Sequence, residues 1–88
     1  MKVEFSNGDG ERVFISEVNN VDDAISDMSD YMEDHRFNAI HMKARQLDGE
    51  WKIDVGSWTE FFYVSDYKEK DVEELKSALV EFNKYLQF

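Results

Sequence analysis

Met42-Lys43-Ala44-Arg45-Gln46-Leu47-Asp48-Gly49-Glu50-Trp51-Lys52-Ile53-Asp54-Val55 is the stretch that decides the fold. Apolar and polar residues alternate along both arms, which is the period of a half-buried strand. Asp48-Gly49 between the arms signals a two-residue hairpin turn of type I′. Placing Leu47 opposite Glu50 sets Gln46 against Trp51, Ala44 against Ile53 and Met42 against Val55, all on one side of the sheet. The other side receives Arg45 opposite Lys52, Lys43 opposite Asp54 and His41 opposite Gly56. A slip of one residue would turn Trp51, Ile53 and Val55 to solvent, so alternation and turn length support one register. The two strands are expected over Ala39–Leu47 and Glu50–Gly56.

Working outward, Val3 and Phe5 alternate with Lys2, Glu4 and Ser6 as a first strand. Asn7-Gly8-Asp9-Gly10 is a dense turn signal, and Arg12–Ser16, rich in Val, Phe and Ile, returns as a second strand. Asn20 with Asp23 makes a helix start, followed by Val21, Ile25, Met28 and Met32 on one helical face. Asp34-His35-Arg36-Phe37-Asn38 ends that helix. Phe61–Ser65 reads as a fifth strand, aromatic on both faces. Asp71 with Glu74 offers a second N-cap box, and Val72, Leu75, Leu79, Phe82 and Leu86 give a second amphipathic helix. The order ββαβββα predicts an α+β fold, a single two-layer domain over residues 1–88, with two helices on one face of an antiparallel sheet.

Composition narrows the function classes. The 88 residues hold 20 acids against 10 bases, a net charge of −10, with 15% aromatic residues and no cysteine. The aromatic content suits a folded core rather than an acidic tail. The lack of cysteine removes disulfides, thiolate zinc sites and a cysteine nucleophile. No apolar run approaches the ~20 residues of a membrane span, and Met1–Gly10 is polar and turn-rich, so a soluble cytoplasmic protein is expected. A strongly negative field repels nucleic acid and anionic lipid and favours basic partners.

The charge is concentrated. Glu17, Asp22, Asp23, Asp27, Asp30, Glu33 and Asp34 fall within 18 residues that contain no base, and they supply seven of the ten net charges. At about 100° per residue, with Asp23 at zero, Asp27, Asp30 and Asp34 fall at about 40°, −20° and 20°. These four form a seam roughly 16 Å long, opposite the apolar face, with Asp22 and Glu33 flanking it. That length matches about five phosphate steps of a DNA strand. A solvated helix face explains charge here in general, and Asp22 and Asp23 suit the helix N-terminus. Like charges three and four apart nonetheless disfavour a helix by about 0.2–0.5 kcal/mol per pair. The acids toward the C-terminal end also oppose the dipole. A helix built for solubility would interleave lysine, as the second helix does with Lys76 and Lys84. The seam therefore reads as a presented array whose complement is an Arg/Lys-lined groove of the kind that holds phosphates.

Other constellations carry less. His41, Lys43, Arg45 and Lys52 with Phe14 and Phe61 or Tyr63 resemble a single-strand platform, but the net charge and the lack of an RNP-type motif favour a solvated face with pairs such as Lys43–Asp54. Of Trp58, Phe61, Phe62, Tyr63 and Tyr67, most are expected in the core. Trp58, in a loop beside Gly56, is the candidate exposed anchor. His35 and His41 lack metal-ligand spacing, and no nucleophile elbow or phosphate-cradling glycine pattern occurs, so neither metal, cofactor nor catalysis is expected.

A small, cysteine-free, acidic α/β chain with a concentrated Asp array resembles phage-encoded inhibitors of bacterial defence nucleases, including anti-CRISPR proteins and other DNA mimics. Ile53-Asp54-Val55-Gly56-Ser57-Trp58-Thr59-Glu60-Phe61-Phe62 is similar to short proteins of Gram-positive phages. The resemblance is one of size and charge and transfers no catalytic residue. It implies a partner type: a basic nucleic-acid-binding protein, a nuclease or CRISPR effector, blocked where its PAM or duplex would bind. The expected function is a non-enzymatic inhibitor contacting its target through Asp22, Asp23, Asp27, Asp30, Glu33, Asp34 and Trp58 in the bacterial cytoplasm. The alternative is a structural or adaptor phage protein acting as a homodimer through the open sheet face or the aromatic loop.

Overall fold

A computed structural model describes residues 1–37, 39 and 41–86, with side chains of those residues through 84. The elements are β1 (Lys2–Ser6), β2 (Val13–Glu17), α1 (Val21–Asp34), β3 (Lys43–Leu47), β4 (Glu50–Asp54), β5 (Phe61–Ser65) and α2 (Glu69–Leu86). Their order is the ββαβββα of an α+β fold, and all pairings in the sheet are antiparallel, in the order β2-β1-β5-β4-β3. Asn38 and Ile40, within the expected helix end and strand start, lie outside the described residues, as does the side chain of Leu86.

The β3–β4 hairpin has the register set by its alternation, from Lys43 opposite Asp54 to Leu47 opposite Glu50. The ladder is shorter than expected, so Met42 and Val55 are buried just past its end and His41 and Gly56 stand outside it. The turn is not type I′, which needs positive φ at both central residues. Only Gly49 has one, at 74°, which is the sign pattern of a type II turn. β2 runs one residue later than expected because it carries a bulge: Val3 faces Ser16 and Glu4 faces Phe14, which leaves Ile15 over.

Pairing of β1 with β5 joins the two hairpins, with Phe5 opposite Phe62 and Val3 opposite Val64. These four, with Trp51 and Ile53, form the covered sheet face. Above it lie Val21, Ala24, Met28 and Met32 of α1 and Leu75 and Leu79 of α2. Each Val, Leu, Ile, Phe or Met among them contributes roughly 1.5–3 kcal/mol when fully buried. Both helices sit on this face, so the opposite face of the sheet is open.

The helix ends follow from local chemistry. Asn20 Oδ1 accepts the Asp23 N–H at 2.8 Å, and Asn20 Nδ2 donates to Asp23 Oδ2 at 3.1 Å. The α1 C-terminus closes as a Schellman motif. Phe37 N–H donates to the Met32 carbonyl at 3.0 Å and Arg36 N–H to that of Glu33 at 3.1 Å, with Arg36 at a φ of 57°. α2 starts two residues before the expected cap. Asp71 is not the cap: its Oδ2 reaches back to accept the Lys68 N–H at 2.9 Å, the role of the third helical residue in a capping box. Glu69 and Lys70, good helix formers, fill the first turn ahead of it.

The aromatic expectation is corrected. Of Trp58, Phe61, Phe62, Tyr63 and Tyr67, only Phe62 is fully buried. Strand alternation turns Phe61 and Tyr63 to the open face, where Lys52 Nζ lies 4.0 Å above the Phe61 ring centre and the Arg12 guanidinium 3.7 Å above that of Tyr63. Tyr67 packs half-buried, edge-on to Trp51.

Candidate protein-interaction surface

The position of α1 follows from which of its residues are apolar. Ala24 is buried and Ile25 only half-buried, the reverse of the expected weighting. Ala24 and Tyr31 fall at about 100° and 80° on the same wheel, which rotates the packed face toward Asp27. Asp27 is accordingly half-buried, while Asp22, Asp23, Asp30, Glu33 and Asp34 are exposed. The seam is thus not diametrically opposite the core. Asp27, Asp30 and Asp34 line one wall of a shallow groove of about 240 Å³, with Tyr31 beside them and Ile15 and Ser16 of β2 on the other wall. Asp23 is set apart by its hydrogen bonds to Asn20.

No ion pair among the described residues involves any of these six acids. The lysines and arginines that do form ion pairs form them elsewhere. Arg12 meets Glu50 through two hydrogen bonds of 2.7 and 2.8 Å, Lys76 meets Glu73, and Lys84 meets Glu81. The N-terminal ammonium lies 3.3 Å from Glu17, the seventh acid of the run. Arg36 and His35 close the helix. His35 stacks on Tyr31 with ring centres 3.9 Å apart, and its Nδ1 lies 2.9 Å from the Tyr31 carbonyl oxygen.

Trp58 is 98% exposed. Its loop is held by side chains on both sides. Asp54 Oδ1 accepts the Gly56 N–H at 2.8 Å, and Ser57 Oγ accepts the N–H groups of Thr59 and Glu60 at 3.3 and 3.2 Å. Gly8, with a φ of 93°, lies so close that a Cβ there would come within 3.0 Å of Thr59 Cβ. An indole held out by a fixed loop loses little entropy on binding. The loop lies at the α1 C-terminal end of the molecule. Burial and, after it, the charge of nearby Glu60 raise the Tyr31 hydroxyl above its ordinary pKa. Tyr31 packs on Phe5 and Phe62, with ring centres 4.7 and 5.8 Å away, toward the sheet end from which the Trp58 loop leaves, so the loop and the C-terminal half of the seam lie toward one end of the protein.

The open sheet face differs from its expectation in one contact. Lys43 faces Asp54 in the ladder, but Asp54 lies 3.3 Å from His41 Nε2 instead, and Lys43 enters no ion pair among the described residues. The lysine side chain leaves the strand toward solvent, while Asp54 is held by Gly56. Among the described residues no three His, Asp or Glu side chains converge as metal ligands would. No described helix is long and apolar enough to cross a membrane.

Sequence reading missed how much of β2, the strand beside the groove, stays exposed. Val13 and Phe14 are 53% and 59% exposed on β2, which is an edge strand. The signal was present: Val13-Phe14-Ile15 are apolar without alternation, and a strand with one open face cannot bury three in a row. No family model matches the chain, and neither a curated protein nor a solved structure matches it.

Proposed function

We propose that this protein is a non-enzymatic inhibitor that works by binding: its α1 carboxylates occupy the basic nucleic-acid groove of a bacterial nuclease or RNA-guided effector and exclude DNA. It would act in the host cytoplasm in the manner of anti-CRISPR proteins and other DNA mimics. The observation that carries this reading is that all six of the α1 acids Asp22, Asp23, Asp27, Asp30, Glu33 and Asp34 lack an ion-pair partner among the described residues, so the charge of this helix is uncompensated where it stands. Unpaired carboxylates on a helix fixed to the core are preorganised for arginine, whose planar guanidinium binds them bidentately. Trp58 supplies the apolar contact that salt does not screen.

The test is capture from bacterial lysate followed by a salt gradient and a DNA-cleavage assay on the captured protein. The wild-type chain retains a nucleic-acid-binding protein at low salt, releases it steeply with salt, and blocks cleavage. The double variant Asp27→Lys/Asp30→Lys keeps its thermal transition and loses inhibition by more than about tenfold. Full inhibition by that variant would remove α1 from the contact.

The competing reading, an adaptor homodimer, draws support from the exposed Phe14 on the open face. Light scattering behind size exclusion separates the two. A dimer indifferent to salt, with Trp58 fluorescence shifted to the blue, would favour the adaptor.

A further inference from the structure

Two independent features meet at the groove beside α1. One is the row of unpaired carboxylates Asp27, Asp30 and Asp34. The other is β2 itself, an edge strand whose outer rim pairs with nothing among the described residues and whose Val13 and Phe14 are largely exposed. The two edges of the sheet are not alike. β3 carries Lys43 and Arg45, which repel an arginine-bearing strand, whereas β2 carries no base. Ser16, whose hydroxyl is buried without a hydrogen-bond partner, lines the same groove.

We infer that the β2 edge accepts an extended arginine-bearing segment of the partner as a sixth strand, with alternate arginines entering the groove beneath α1. This rests on the proposed inhibitory function and specifies how the target delivers its positive charge. The geometry fits the occupant. Side chains at alternate positions of a strand lie about 6.8 Å apart on one face. The acid row from Asp27 to Asp34 spans about 10.5 Å along α1, enough for two such arginines. Their aliphatic stems would lie along Ile15 and their guanidinium planes against the carboxylates. The intervening residues turn to the open face beside Phe14, so apolar ones suit them. A second copy of this chain is a poor occupant. Antiparallel pairing of two β2 edges would set α1 beside α1, carboxylates against carboxylates, with no base between them.

A fluorescent peptide of alternating arginine and valine tests this by anisotropy titration against the intact protein. The comparison peptides are one of equal composition with arginines and valines in separate blocks, and two forms of the alternating peptide N-methylated along one edge or the other. The alternating peptide should bind about tenfold tighter than the block peptide, and Asp27→Asn/Asp30→Asn should remove about tenfold. One N-methylated form should bind as the parent and the other about tenfold more weakly, because only one edge donates to β2. Amide exchange at Val13–Ser16 should slow on binding. Equal binding of the alternating and block peptides, or of both N-methylated forms, overturns strand addition. If the Asp27→Lys/Asp30→Lys variant still fails to inhibit in that case, the inhibitory function stands without it. Full inhibition by that variant removes the function itself.

Discussion

Asn83 carries a large share of stability for one polar side chain. Its amide closes a two-way clamp on the backbone of Met42, accepting the Met42 N–H at 2.6 Å and donating to the Met42 carbonyl at 2.8 Å. Met42 is fully buried and precedes β3, so neither group can turn to a strand partner or to water. Asn83→Ala should destabilise the fold by about 2–3 kcal/mol, the penalty for orphaned buried backbone groups, and chemical denaturation would measure it. Asn83→Asp should fall between, since a carboxylate keeps the acceptor and loses the donor. Arg36 holds the opposite kind of position. A φ of 57° is a left-handed conformation that glycine adopts without strain. Arg36→Gly should raise stability by about 0.5–1 kcal/mol, read as a higher thermal midpoint with an unchanged far-ultraviolet spectrum. The clamp was invisible in the sequence because its partners are 41 residues apart and an asparagine in a helix carries no periodic signal. The Arg36 position was half visible: Asp34-His35-Arg36 read as a helix end, while the missing glycine hid the Schellman geometry.

The open sheet face is tied together as a unit by Arg12. It forks onto Glu50 across three strands' breadth, approaches Glu4 at 3.6 Å and covers the Tyr63 ring. The N-terminal hairpin is thereby fastened to β4 without touching the core. The Arg12 hydrogen bonds hold the Glu50 carboxyl below its ordinary pKa, with burial acting the other way. A carboxyl whose folded pKa is depressed gives stability that is complete above its unfolded pKa and is lost as pH falls through the folded one. The Glu50 contribution should therefore be flat at neutral pH and fade only below the ordinary value of 4.5. Glu50→Gln should lower stability by about 1 kcal/mol at pH 7 and flatten the acid limb of the curve, as denaturation at a series of pH values would show. At this scale the sequence was most informative where two signals coincided. The β3–β4 register had alternation and turn length behind it, and it holds from Lys43–Asp54 to Leu47–Glu50, while the two outer expected pairs fall beyond the ladder. β2 had composition alone, and its bulge shifted the boundary. The cap of α2 was misplaced because Asp71 satisfies the sequence rule for two positions, and only the direction of its hydrogen bond to Lys68 decides between them.

Across the whole molecule, α1 differs from the open sheet face in charge. Lys2, Arg12, Lys43, Arg45 and Lys52 belong to the open sheet face, while α1 on the other side has acids and no base before Arg36. The protein is only 20 Å through its thinnest axis, so the two fields are about two Debye lengths apart at 0.1 M salt. At moderate ionic strength each face acts separately, so a basic partner of the kind proposed would feel mainly the α1 field. The density of the acidic run was legible in the sequence. Its aim was not, because the wheel treats α1 in isolation, and Ala24 and Tyr31 rotate the seam toward β2. If the proposed function holds, Trp58 adds a contact of another kind to that of α1, and the two should separate kinetically. Steering by α1 sets the association rate, so Asp27→Asn/Asp30→Asn should slow association and flatten its salt dependence while dissociation changes less. Trp58→Ala removes an apolar anchor whose burial salt does not screen. It should speed dissociation of the captured partner by about tenfold or more and leave the salt slope of association as it is. Since the indole is 98% exposed in the free protein, Trp58→Ala should leave the thermal midpoint unmoved, which distinguishes a lost contact from a lost fold. Stopped-flow association at several salt concentrations, with dissociation by competition, measures both arms. A Trp58→Ala protein with unchanged dissociation would place the contact on the carboxylates alone.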